Sequence, residues 1–102
     1  MIKGVYSLRD RETGFLDPFL AVTDSRAEQA VLTSSLKVAR DDGVDPESFR
    51  DYDLYRLGTF DDDDGTLAAD PIRTVLLTGH NVEFFVRRRL SGEEDPDVSD
   101  DV

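Results

Sequence analysis

The chain has 102 residues, no cysteine and a formal charge of −11. That length holds one domain around a single small core, and the missing cysteines exclude a disulfide framework, thiolate metal ligands and a thiol nucleophile. So acidic a balance opposes non-specific DNA binding, which is driven by phosphate neutralisation; any nucleic-acid contact needs a local basic face.

The charge is uneven. Residues 91–102, SGEEDPDVSDDV, hold six acids and no base, more than half of the net excess. A segment so charged and so poor in apolar groups does not pack. This predicts one α+β domain over 1–90 and a disordered acidic tail over 91–102. The opening MIKGVYSLRD turns polar too soon for a signal peptide. No apolar run approaches the length that spans a membrane, so no membrane partner is expected.

Gly4–Asp10 reads as a first strand, with Val5 and Ser7 on one side and Tyr6 and Leu8 on the other. Arg11–Gly14 is a turn, and Phe15–Val22 returns as an extended stretch that Pro18 interrupts as an edge or a bulge. Thr23–Gly43 carries the clearest helix. Ser25 and Glu28 fit a capping box; Ala27, Ala30, Val31, Ser34 and Val38 mark one face, widened by Leu32, Leu36 and Ala39. Gly43 is its expected stop. Val44–Tyr52 is a connector with a single turn after Pro46.

Tyr52–Phe60 is the best strand. Strict alternation puts Leu54, Arg56, Gly58 and Phe60 on one face and Tyr55, Leu57 and Thr59 on the other. After the aspartates, Thr66–Asp70 is a short return strand and Pro71–Gly79 a further β-branched segment. His80–Leu90 fits a helix with a Val82, Phe85, Val86 and Leu90 stripe, or a last strand. The expected fold is therefore α+β: an antiparallel sheet of four to five strands, in the order β-β-α-β-β with an optional last strand, and one helix on one face.

Asp61–Asp64 do not fit a calcium loop. With Gly65 at the sixth position, Phe60 falls first and Pro71 twelfth, and neither is a ligand. Asp-Gly is instead a strong hairpin signal. His80 is the single histidine and lacks the partners that a general base or a zinc set requires. Ser34 and Ser35 lie in the helix, outside any nucleophile-elbow context, and the glycines form no phosphate-binding motif. No catalytic residues, metal or cofactor are expected, and the chain reads as a non-enzyme.

One stretch has nucleic-acid character. Phe84 and Phe85 are placed to stack on unpaired bases while Arg87, Arg88 and Arg89 contact phosphates, and Tyr55 and Arg56 extend such a surface if the sheet is open. The plainer reading makes the phenylalanines core and the arginines a solvated rim. Both stay open on residue types alone. The neighbouring acidic tail either neutralises these arginines or competes with nucleic acid for them.

Three segments taken together, VYSLRDRETGFLDPFLAVTDSRAEQA, DYDLYRLGTFDDDDGTL and VLLTG, carry a resemblance. The matching positions are Pro18, Phe19, Asp24, Ala27, Tyr52, Leu54, Tyr55, Arg56, Leu57, Gly58, Phe60, Asp61, Gly65 and Gly79, within residues 3–79. The chain resembles the small non-structural protein of the Microviridae, single-stranded-DNA bacteriophages, in its gokushovirus form. The resemblance implies an accessory protein in the cytoplasm of the infected bacterium, serving single-stranded DNA replication or hand-over to packaging. It supplies no catalytic residues. The chain departs from a DNA binder in its acidity, which leaves room for a rival role: docking on viral replication or capsid-assembly proteins, with homodimerisation. A third reading is a DNA mimic, which needs the carboxylates aligned on one ordered surface.

Overall fold

A computed structural model describes residues 1–92. In chain order the elements are β1 (Ile2–Asp10), β2 (Gly14–Phe15), β3 (Phe19–Ala21), α1 (Asp24–Asp42), a 3-10 helix (Pro46–Asp51), β4 (Tyr52–Asp61), β5 (Thr66–Leu77) and α2 (Gly79–Leu90). The fold is α+β. Its five-stranded antiparallel sheet runs β2-β1-β4-β5, and β3 also pairs with β1. The predicted tail lies outside the described residues apart from Ser91 and Gly92, which form a turn after α2.

The N-terminal hairpin follows the sequence reading. Asp10 pairs with Gly14 and Arg9 with Phe15, then pairing stops and resumes at Tyr6 and Phe19. Pro18 stands in that gap, where its missing N–H costs no ladder bond.

Four expectations are corrected. A second helix packs on the sheet, so the single-helix layout does not hold, and His80–Leu90 belongs to that helix rather than to a last strand. The reason is local: the Thr78 hydroxyl accepts from the Asn81 N–H at 3.2 Å while the Asn81 side chain receives the Thr78 N–H, a reciprocal cap that starts α2. On α1 the cap is Thr23, whose hydroxyl accepts from the Arg26 N–H at 3.1 Å, so Ser25 and Glu28 are inside the helix. The buried stripe of α1 is Ala27, Val31 and Ala39, with Leu32, Leu36 and Val38 partly covered; Ala30 and Ser34 face solvent. Finally, Thr66–Asp70 and Pro71–Leu77 are one strand. The pairs Gly58–Ala69 and Arg56–Thr74 leave Asp70–Arg73 as an excursion in β5, and Pro71 is tolerated because β5 is an edge.

A bulge also breaks the alternation expected in β4. Val5 pairs with Gly58 and Tyr6 with Arg56, which leaves Leu57 as an extra residue. Val5 and Tyr6 are successive and face opposite sides. Arg56 and Gly58 therefore face opposite sides too, although strict alternation had put them together.

Both helices pack on one face of the sheet. The core joins Tyr6 and Leu54 of the sheet to Ala27, Val31 and Ala39 of α1 and to Val82 and Val86 of α2, with Leu8, Phe19, Leu36, Phe49 and Phe85 around it. The opposite face carries Val5, Leu20, Tyr55 and Val75 by register, and no helix among the described residues covers it. An apolar cavity of about 360 Å³ lies beside the core, among Leu8, Leu16, Val31, Phe49, Tyr52 and Val82.

Candidate nucleic-acid interface

Burial of Val82 and Val86 sets the roll of α2 and turns Phe84 outward, 61% exposed. The Arg88 guanidinium lies 5.5 Å from the centre of the Phe84 ring, within cation–π range. Phe85 is different. It is half-buried against the core, with Arg89 stacked 4.6 Å over its ring. Only one of the two phenylalanines is therefore presented as a free stacking surface.

Arg87 is exposed but is held by an ion pair to a buried carboxylate. Its Nε donates to Glu83 Oε2 at 2.7 Å, and the same carboxylate receives Arg50 Nε at 2.5 Å and Nη2 at 3.2 Å. Glu83 is buried, and this triad ties α2 to the 3-10 helix. The Arg50 guanidinium, and after it that of Arg87, holds the Glu83 carboxyl below the usual carboxylate range. A depressed carboxyl stabilises the fold above its unfolded pKa, and that contribution is lost as pH falls. Glu83→Gln is expected to lower the melting temperature by about 5 °C at neutral pH, because charge-assisted bonds are replaced by weaker ones. Calorimetry should also show the gap to the unmodified chain narrowing under acid; a gap independent of pH would reject the ion triad as its source.

Tyr55 and Arg56 do not form one surface. Arg56 faces the helix side, where Nη1 donates to Asp24 Oδ1 at 3.3 Å and Nε to Asp70 Oδ2 at 3.0 Å. The Tyr6 hydroxyl donates to the same Asp24 oxygen at 2.7 Å. Arg56 is thus the centre of a network that joins β1, α1, β4 and β5.

Tyr55 lies on the uncovered face, its ring edge-on to Phe15 with centroids 5.3 Å apart. Two further arginines converge there. The guanidinium carbons of Arg9 and Arg73 lie 5.9 and 5.8 Å from the Phe15 centroid. Neither forms an ion pair among the described residues. The set Arg9, Phe15, Tyr55 and Arg73 was not singled out in the sequence, apart from Tyr55. Arg9 and Phe15 could have been found, since a hairpin over Arg11–Gly14 makes them cross-strand neighbours. Arg73 could not, because the β5 excursion sets its register.

The aspartate run is a turn. Gly65 takes φ 78°, its N–H donates to the Asp61 carbonyl at 2.8 Å, and the Asp61 and Asp64 side chains accept from the Asp63 and Thr66 N–H groups, each at 3.0 Å. Carboxylate oxygens of Asp61, Asp62 and Asp63 gather within 4.8 Å of one another. The chain's own cations meet them: the Met1 ammonium stands 2.7 Å from Asp62 and 3.2 Å from Asp63, and Lys3 stands 3.4 Å from Asp62. His80 is exposed on the first turn of α2.

Compared with known families, residues 3–82 match the model described as phage ORF5 protein. The chain belongs to the phage ORF5 protein family. The family match takes in the sheet from Lys3 onward, and with it Arg9, Phe15, Tyr55 and Arg73; Phe84 and the arginines that follow lie beyond it. No curated protein and no solved structure matches the chain. Among the described residues, no helix of this phage ORF5 protein is long and apolar enough to cross a membrane.

Proposed function

We propose that this phage ORF5 protein is a non-enzymatic accessory protein of a gokushovirus-type member of the Microviridae. It acts in the infected bacterium at the single-stranded DNA replication or packaging stage, and contacts that DNA weakly through the uncovered face of its sheet. The observation that carries the reading is the convergence of Arg9 and Arg73 on Phe15 beside Tyr55. In a chain of charge −11, carboxylates are plentiful, yet these two guanidiniums have none as a partner among the described residues. Phe15 holds them in place, so phosphates meet preplaced donors, while the Tyr55 ring offers a surface to an unpaired base.

Two phosphate contacts imply weak, salt-sensitive binding, with a log–log slope of about −1.4 for a single strand. The test is fluorescence anisotropy with a labelled oligothymidine at low salt. Arg73→Glu is expected to weaken binding about tenfold and to flatten the salt slope, with Arg9→Glu behaving alike. Binding unchanged in both variants would overturn the site.

A second reading has its own support. β5 is an edge strand, and it bears the two most exposed large apolar residues among those described, Leu67 at 71% and Ile72 at 78%. Such an edge suits pairing with another chain, either a second copy or a viral replication or assembly protein. Light scattering separates the readings: a dimer that Ile72→Lys dissolves favours the interaction module. The DNA-mimic reading has less support, because Asp24, Asp70 and Glu83 are taken up in internal ion pairs and Asp62 by Met1 and Lys3.

A further inference from the structure

We infer that two copies of this chain meet on one DNA strand by antiparallel pairing of Thr66–Ala69 in β5, which joins their arginine platforms into one composite surface. The contact goes beyond the single-stranded DNA reading; its consequence rests on that reading.

The two edges of the sheet are built differently. At one, β2 and β3 are two and three residues long, with Pro18 between them. Short strands and proline are devices that blunt an edge. At the other, β5 runs for 12 residues and pairs only with β4 among the described residues. Its excursion over Asp70–Arg73, with Pro71, interrupts the middle of that edge. Thr66–Ala69 has no such device. It stays in register with β4, each of its residues is exposed, and Leu67 is 71% exposed.

Charge selects the partner. The chain carries 23 acids, so two copies repel over most of their surfaces. Thr66–Ala69 contains no charged residue, and Asp70 just beyond it is tied to Arg56. Antiparallel pairing sets this stretch against itself about a two-fold axis, a self-complementary contact. Four residues span only about 13 Å, and a contact of that length falls short of the roughly 1,000 Å² that a stable interface needs. The free chain therefore stays monomeric at the concentrations of light scattering. Two copies on one strand, however, meet at an effective concentration of about millimolar, where a weak contact is populated.

The two-fold axis of such a pair stands perpendicular to the sheet, so both uncovered faces lie on the same side. Tyr55 is the ladder partner of Val75, outside the pairing stretch. The two Tyr55 residues then stand about 30 Å apart, about three strand spacings across the sheet and about nine residues along it. Each copy brings Arg9 and Arg73 to that surface, which doubles the phosphate contacts of a single copy.

The chain has no cysteine, so Leu67→Cys and Ile72→Cys each supply a single thiol for a short bismaleimide. At about 1 mM protein without DNA, Leu67→Cys is expected to cross-link about fivefold faster than Ile72→Cys, whose position lies on the excursion. An oligothymidine of about 30 nucleotides should produce the same preference at micromolar protein, and one of about six should not. Anisotropy should be sigmoidal on the long strand and hyperbolic on the short one. Leu67→Asn, a neutral change, should remove the sigmoidal form and leave short-strand affinity unchanged, whereas Arg73→Glu should weaken binding to both. Because the copies repel, salt should strengthen the cooperativity while it weakens the intrinsic affinity. Equal cross-linking at the two positions, with or without DNA, overturns the pairing whatever the platform binds. Faster cross-linking at Ile72 overturns it in favour of the interaction module. Preferential cross-linking at Leu67 in the free chain, with neither oligonucleotide bound, upholds the paired edge and overturns the DNA reading together with the composite surface that rests on it.

Discussion

Replacing Gly79 with alanine is expected to destabilise the protein by about 3 kcal/mol, at the upper end of the cost of overpacking. Helix propensity predicts the opposite sign, since alanine in place of glycine favours a helix by about 1 kcal/mol. The difference lies in what the new methyl group would meet. A Cβ at Gly79 would fall against the backbone carbonyls of Arg50 and Phe49, and backbone cannot swing aside as a side chain can. The Gly79 N–H is also fixed, donating to Asp53 Oδ1 at 2.7 Å. The substitution therefore has to separate α2 from the 3-10 helix, which pulls Val82 and Val86 away from Leu54 and strains the Glu83 triad. For a domain of this size the loss corresponds to a fall in melting temperature of about 15 °C. Thermal unfolding followed by circular dichroism checks it, and a neutral or stabilised Gly79→Ala variant would show that α2 does not dock so closely.

What was legible in the sequence follows from how local each signal is. The 3-10 turn after Pro46, the strand from Tyr52, the Asp-Gly turn and the Gly43 stop rest on neighbouring residues, and each is found where expected. The α2 helix could not be told from a strand because its apolar residues fit both periods; the Thr78–Asn81 cap that decides it is four residues long. Once the helix is known, the Glu83–Arg87 pair becomes legible as an i, i+4 contact, which takes Arg87 out of the phosphate-binding set. Arg56 was beyond reach. Its partners, Asp24 and Asp70, come from α1 and from the β5 excursion, and no local pattern announces a contact across 32 residues. The same holds for the Arg9–Phe15–Arg73 group, which three strands assemble. In so acidic a chain, a run of arginines was the conspicuous feature, whereas Arg9 and Arg73, which have no carboxylate partner among the described residues, stand singly in the chain and come together only when the sheet is formed.

Tyr6 gives the pH dependence with the clearest sign. Its ring is buried between the sheet and α1, and its hydroxyl donates to Asp24, which also holds Arg56. Burial first, and then the Asp24 carboxylate, pushes the phenol from 10 up to about 12. A pKa raised on folding means that the folded state keeps the proton more tightly. The stabilisation is therefore complete below pH 10 and is lost as pH rises through about 12. Each pH unit in that window corresponds to about 1.4 kcal/mol; partial solvation of Asp24 and Arg56 discounts the total to about 2 kcal/mol. Tyr6→Phe should cost about 1.5 kcal/mol at neutral pH, the loss of a hydrogen bond to a carboxylate. Its stability curve should then converge on that of the unmodified chain as the solution becomes more alkaline. Titrations common to both proteins, that of Tyr52 among them, cancel in the difference. Urea unfolding in steps from neutral pH to beyond the Tyr6 window measures it. Parallel curves throughout would mean that the hydroxyl is not held by Asp24.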